Sequence, residues 1–227
     1  MRNTSIILFA AITAATALVS CKNEPKAAEQ GTPKPDTIHL TPPPSMEGAR
    51  TFNITEGVVN WVGEKSVTNA YHTGTIAVKS GELKVNQGQL LAGNIVMDMN
   101  SIAVTDLKDP GEKADLESHL KDKDFFESKK YPEGVFTIDE ILPSKTEAFN
   151  NVISGRLTLK GKTNTVNIPV KMTINGDELT AESPVFVINR TQWGINFQST
   201  VLNTAKDKLI SDNIPLRLSI KARAAAQ

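Results

Sequence analysis

Residues 109–138 read DPGEKADLESHLKDKDFFESKKYPEGVFTI. Past residue 50 this is the one stretch with a helical pattern, and it decides the fold because the segments around it read as strands. Asp109 is placed to N-cap. Pro110 suits the first helical position, and Glu112 stands three residues after Asp109, as in a capping box. Leu116 and Leu120 are four apart and share one face. The pattern carries the helix into the adjacent aromatics Phe125 and Phe126. It predicts a stop at Tyr131-Pro132, since proline pushes the residue before it out of the α region. Phe136 and Ile138 then begin a strand. Such a helix predicts an apolar flap or plug lying across a sheet that encloses something apolar.

Outward from this segment the apolar period is two, as in half-buried strands. Val59 and Trp61 alternate with Asn60, and Ile76 and Val78 with Thr75 and Lys79. Ser80-Gly81 and Gln87-Gly88 predict turns on either side of Leu83 and Val85. Leu91, Gly93, Ile95, Met97 and Met99 line one face of a long strand, with Asn94 and Asp98 on the other. Past the helix, residues 134–142 and 152–159 read as strands, the second with Leu157 and Leu159 on one face. Val166, Ile168, Val170, Met172 and Ile174 alternate with Asn167, Pro169, Lys171 and Thr173. Pro169 has no N–H for a ladder, which predicts an edge or a bulge. Asn175-Gly176 is a type I′ hairpin signal that returns the chain through Leu179 to Ile188. Residues 189–210 are less regular. Ile214, Leu216, Leu218 and Ile220 close the pattern.

The fold expected is all-β: an antiparallel barrel of about eight or nine strands with one inserted helix. Closure removes exposed edges, and eight strands leave an interior just wide enough for side chains or one small ligand.

Composition narrows the function. The chain has 227 residues with 25 basic and 25 acidic side chains, so the clustered basic excess of a nucleic-acid surface is missing. The single cysteine, Cys21, permits no internal disulfide. The three histidines have no ligand-like spacing, so no metal site is expected. Arg2 followed by the small, apolar residues 5–20 has the form of a signal peptide. Its ending, Leu18-Val19-Ser20-Cys21, resembles the lipobox of bacterial lipoproteins, in which the cysteine is acylated and becomes the new N-terminus. That resemblance implies a lipid anchor at Cys21. Residues 22–50 are rich in Pro, Lys, Glu, Gln, Thr and Ala, a composition unable to bury a core, and read as a tether. An Asp after the cysteine would resemble the inner-membrane retention signal of enteric lipoproteins; Lys22 stands there instead, which by that resemblance implies the outer membrane, with the periplasmic or surface face undecided. The organisation expected is signal peptide 1–20, acylated Cys21 and tether 21–50, and barrel 51–224.

The barrel segment resembles the YceI family, lipocalin-like barrels associated with polyisoprenoid binding. The matching features are Val59-Asn60-Trp61-Val62-Gly63, His72-Thr73-Gly74, His119-Leu120, Asp124-Phe125-Phe126, Tyr131-Pro132 with Phe136, VISGRLTLKG at 152–161, and Arg190-Thr191-Gln192-Trp193-Gly194. Their order and spacing carry the resemblance more than any one motif. It implies an elongated barrel with an apolar channel for a long isoprenoid chain, and no chemical mechanism.

The inward-facing candidates for ligand contact are Trp61, Ile95, Met97, Phe125, Phe126, Phe136, Ile138, Leu157, Leu159, Ile168, Val170, Met172, Phe186, Ile188 and Trp193. The same residues would fill the core of a solid barrel. Phe125 and Phe126 are equally a channel wall or a sealing plug. His72, Asp124 and Arg190 either meet a ligand head group or hold turns and one another. Asp115 and His119, at i and i+4, read as a surface ion pair.

GRLTLKGKT at 155–163 has one residue too many for a phosphate-binding loop and alternates as a strand, so nucleotide binding is dismissed. No catalytic motif is present, and the chain is not expected to be an enzyme. The expectation is an envelope lipoprotein that binds or carries a long apolar lipid, a quinone or polyprenyl isoprenoid, with no other cofactor. Its partners are that lipid and the membrane, not nucleic acid; a homodimer is left open. The competing reading is a structural or interaction lipoprotein with a solidly packed barrel.

Overall fold

The computed structural model describes residues 45–226 except 67–69, 145 and 147. The signal peptide, Cys21 and the tether up to residue 44 lie outside the described residues. Ten strands and one α-helix follow in the order β1 (Arg50–Glu64), β2 (Tyr71–Asn86), β3 (Gln89–Asp98), β4 (Ala103–Val104), α1 (Pro110–Lys121), β5 (Glu133–Pro143), β6 (Asn151–Leu159), β7 (Lys162–Asn175), β8 (Glu178–Glu182), β9 (Phe186–Asn189) and β10 (Asn213–Ala224). Neighbours run β1-β10-β8-β7-β6-β5-β3-β2, and pairing of β1 with β2 closes the ring. This is a closed antiparallel barrel of eight strands, the lipocalin-like form expected. The two further strands each pair with one member of the ring. β4 pairs with the start of β2 through Gly74 and Val104, and β9 with the start of β10 through Ile188 and Ile214.

The barrel has two different ends. At the lower end lie the start of β1 and the β2–β3 and β7–β8 turns. Here Phe52, Leu83, Val85, Leu90, Val170, Leu179 and Ala222 are buried and pack together. At the upper end β1 finishes and β2 begins, and α1 and the segment between β9 and β10 lie across the opening.

Several local expectations change. Ser80-Gly81 does not turn the chain: β2 runs straight through it to Asn86. The pairing instead slips between Val78 and Ser80, and the carbonyl of Asn94 and the Ile54 side chain crowd the space a Cβ on Gly81 would need. A second slip beside Lys84 and Val85 brings Leu90, rather than Leu91, into the core. The β7–β8 turn is Gly176-Asp177, because Asn175 pairs with Glu178. Only Gly176 has positive φ, at 59°, which puts glycine at the first central position as in type II′ rather than type I′. Pro169 does sit at an edge: β8 covers only Lys171 to Asn175 of β7, so residues 162–170 have β6 alone as a strand partner.

The helix is shorter than the pattern predicts. Asp109 accepts hydrogen bonds from the Gly111 and Glu112 N–H groups at 2.8 and 2.9 Å, and Pro110 opens the helix, as expected. It ends at Lys121, where Asp122 leaves helical geometry, well before Tyr131-Pro132. Phe125 and Phe126 fall in the turn that follows. That turn is closed by Phe126 N–H to Leu120 O at 3.1 Å and Ser128 N–H to Lys121 O at 2.9 Å. Ending early lets Phe125 drop into the barrel, where only 8% of it stays exposed. No residue of α1 itself is fully buried, so the polar helix lies on top as a cover, and the side chains that reach deepest come from the turn after it.

Candidate ligand-binding site

The upper half of the barrel encloses a cavity of about 400 Å³. Its walls follow from inward alternation: Val59 and Trp61 on β1, Ile76 on β2, Met97 on β3, Leu157 and Leu159 on β6, Ile188 on β9, and Ile214 and Leu216 on β10. Its roof comes from segments without alternation: Leu116, His119 and Leu120 of α1, Phe125 and Phe126 after it, and Trp193, Ile195 and Phe197 beyond β9. Glu64, Lys65 and Ala70 also line it and are exposed, which marks the mouth between the end of β1 and the start of β2.

The roof is tied down by specific bonds. Glu117 of α1 accepts the Val104 N–H at 2.8 Å, docking the helix on β4. The ring of His119 meets Phe125 and Phe197 edge-on at 5.1 and 4.8 Å, and its Nε2 lies 3.5 Å from Asp124. The expected pair with Asp115 is therefore replaced by one with Asp124, because the turn after Lys121 folds Asp124 back beneath the helix end. Trp193 is the last residue of a short 3₁₀ helix, Arg190–Trp193, capped by Asn189 and Gly194, and donates its indole N–H to Leu157 O at 2.9 Å.

Arg190 lines the cavity yet spends its donors on the chain. It is 3% exposed and donates to the carbonyls of Ser211, Ile195 and Ile210 at 3.0, 2.7 and 3.0 Å, and to Asp212 at 3.3 Å. Burial pulls its pKa down and Asp212 opposes that pull. It is a clamp on the segment between β9 and β10. His72 faces Asp106 at 2.9 Å beside the mouth. Asp106 also accepts the Thr73 N–H at 2.8 Å. Asp124 does not line the cavity.

The structure divides the apolar candidates by depth. Trp61, Met97, Phe125, Phe126, Leu157, Leu159, Ile188 and Trp193 face the cavity. Ile95, Phe136, Ile138, Ile168, Val170, Met172 and Phe186 do not: they pack into the solid part of the core or against it. Alternation reports which face of a strand points inward but not how far along the barrel a residue lies. Ile76 and Met99, which alternate inward in the sequence, line the cavity as well, and Ile102, which lies between elements, joins them. Ile195, Phe197 and Ile210 come from a stretch with no regular period; the nearest sequence signal is Ile195 and Phe197 flanking Asn196. Among the described residues no cluster of His, Cys, Asp and Glu is arranged to hold a metal. The site offers apolar surface with a polar mouth. Nothing within the described residues pairs with the buried Nε1 of Trp61.

Comparison with known proteins agrees with the barrel fold. The YceI-like domain model matches residues 51–222. The UPF0312 protein plu2095 of Photorhabdus laumondii is 37% identical over 65 residues, 29% of this chain; the match spans about a third, 32%, of that relative. The crystal structure of Burkholderia cenocepacia BcnA superposes with a TM-score of 0.55 at 22% identity, covering 73% of this chain and 95% of its own. A polyisoprenoid binding domain from Saccharophagus degradans, implicated in plant cell wall breakdown, gives a TM-score of 0.55 at 14% identity, covering 77% of this chain and 98% of its own. Both solved neighbours consist of little beyond the matched barrel, and at these identities they speak to fold. With a family model spanning every strand of the closed ring, the chain belongs to the YceI-like family.

Proposed function

We propose that this protein is a bacterial envelope lipoprotein that binds or carries one long apolar lipid, an isoprenoid of the quinone or polyprenyl class, in the upper half of its barrel. The observation that carries the reading is the cavity: about 400 Å³, walled almost wholly by apolar side chains and open at one end. Ligand pockets run from roughly 300 to 1,000 Å³. Removing apolar ligand surface from water would supply the affinity, at about 25 cal/mol per Å². An isoprenoid chain suits walls that offer no regular hydrogen-bond partners, and Met97 and Met99 adapt to an irregular chain. The Saccharophagus neighbour, a polyisoprenoid binding domain, supports the same class. Because the lower half is packed, the reading places one end of the lipid in the cavity and leaves the rest at the mouth. Acylation of Cys21 and outer-membrane residence are part of this proposal, resting on the lipobox-like ending.

The test is native mass spectrometry of the barrel purified from a bacterium, with organic extraction of what it retains. One isoprenoid per chain is the expected result. An apo mass that takes up no added quinone or polyprenol would overturn the reading in favour of an interaction lipoprotein. Ile76→Trp, which fills the cavity from β2, is expected to abolish uptake while the barrel stays folded.

A further inference from the structure

We propose that the upper rim of the barrel is a membrane-docking surface that seats the cavity mouth on an anionic bilayer; this rests on the lipid-carrying reading above. Beside the mouth this rim is formed by the described residues that follow β1 and precede β2, 65–66 and 70, and by the segment leading into β10; α1 lies across the rest of the opening. Backbone bonds join the first two: Ser66 N–H to Leu209 O at 2.9 Å and Ser211 N–H to Glu64 O at 2.8 Å. A third bond, Ile210 N–H to Gln198 O at 2.9 Å, folds the second segment back on itself.

This rim carries apolar side chains that the fold leaves in water. Tyr71 is 62% exposed, Val201 57% and Leu202 59%. Among the described residues, the other large exposed apolar side chains are Val185 and Val187 on the flank below, and Met46 and Leu142 toward the lower end. Single exposed apolar residues are ordinary, but these three are carried by the two bonded segments that border one opening. Lys65, Lys206 and Lys208 lie exposed on the same stretches of chain, as do Glu64 and Asp207.

The occupant argued for is a lipid surface. An aromatic with a polar tip, two aliphatic side chains and flanking lysines whose stems reach outward form the set that sits at a headgroup boundary. Basic side chains are drawn to anionic headgroups. The rim is also continuous with the cavity: Glu64, Lys65, Ala70, Gln198 and Ile210 belong to the same segments and line the space inside. An apolar chain leaving a bilayer through this mouth would reach the cavity wall without crossing water.

The chain's route permits it. The described barrel begins at the lower end, and β1 spans 15 residues, about 50 Å at roughly 3.3 Å each. The 28 residues between Cys21 and Arg50 reach at most roughly 100 Å when extended, so an anchor at Cys21 leaves enough chain for the mouth to face the same membrane.

The experiment uses the chain from residue 42 on, which holds the whole closed ring and leaves out the leader and the anchor, so that vesicle binding reports the barrel. It is floated with vesicles of mixed phosphatidylethanolamine and phosphatidylglycerol, and its extraction of a fluorescent polyprenol from them is timed. The comparison is the triple variant Tyr71→Ser, Val201→Ser, Leu202→Ser. The parent is expected to float with the vesicles, and the variant to bind and extract at least about tenfold less. Uptake of the same polyprenol from detergent micelles should be equal for both, which shows the variant folded. Lys65→Glu with Lys206→Glu and Lys208→Glu should lose the preference for phosphatidylglycerol. A parent that does not float, or a triple variant that extracts as fast as the parent, overturns the docking surface. Failure of uptake from micelles by both overturns the carrier reading instead, and flotation still decides the docking one.

Discussion

The indole N–H of Trp193 donates to the carbonyl of Leu157 at 2.9 Å inside the barrel, although 36 residues separate the two. One bond thus ties the roof segment after β9 to the cavity wall on β6, and Trp193 keeps 1% of its surface exposed in making it.

Trp193→Phe is therefore expected to destabilise the barrel by about 1–3 kcal/mol, because a buried carbonyl loses its donor. Trp61, which also lines the cavity, has no such partner for its N–H among the described residues. Trp61→Phe should lower stability by less than about 1 kcal/mol in ligand-free protein, since no hydrogen bond is lost. Urea titrations of the two variants side by side check the contrast; equal losses would contradict it.

Arg190→Met removes the clamp between β9 and β10. Asp212, with a side chain only 13% exposed, then loses its cation, and three carbonyls lose their donor. Breaking one side of a buried pair costs about 3–5 kcal/mol, and Arg190→Lys should recover little of it, because an ammonium cannot fork to carbonyls set around a planar guanidinium. Hydrogen exchange should accelerate first in residues 195–211. Uniform acceleration across all strands would argue against a local clamp.

Asp106 makes stability depend on acid. Burial raises its pKa, but the Thr73 N–H and His72 together outweigh that and leave it lowered. A carboxyl lowered in the folded state adds stability above its unfolded pKa of about 3.9. That contribution is lost as pH falls through the folded value. The difference in urea midpoint between the parent and Asp106→Asn should be full at pH 7 and shrink below about pH 4. A difference constant with pH would remove Asp106 from the acid response.

Gly74→Ala tests the packing of the mouth. A Cβ there would lie 2.0 Å from the Ala103 carbonyl and 2.2 Å from the Trp61 ring. Either β4 or Trp61 must shift, at about 1–3 kcal/mol or more. Loss of thermal stability together with weaker polyprenol uptake is expected. An unchanged melting temperature would show that β4 yields freely.

Much of the barrel was legible from residue pattern because strand alternation is local. Val166 to Ile174 and Ile214 to Ile220 announce their faces within a few residues, and Asp109-Pro110 announces the helix start. Less was legible where two strands must agree. The slips beside Val78 and Lys84 depend on the partner strand, so Ser80-Gly81 looked like a turn and Leu91 like a core residue. Gly176 showed that the chain reverses but not in which turn type, since that follows from the pairing of Asn175 with Glu178.

The sequence by itself determined an antiparallel barrel with one covering helix and a greasy interior, because period, caps and turn residues act over neighbouring positions. Only the tertiary structure decided where that interior is hollow. Ile168 and Leu159 both point inward on adjacent strands, yet one fills the packed core and the other faces the cavity. The difference is their depth along the barrel and what stands opposite, which depends on strand register and on the docking of Phe125, Trp193 and Phe197 across the top. Those contacts join residues distant in the chain, and no local pattern encodes them.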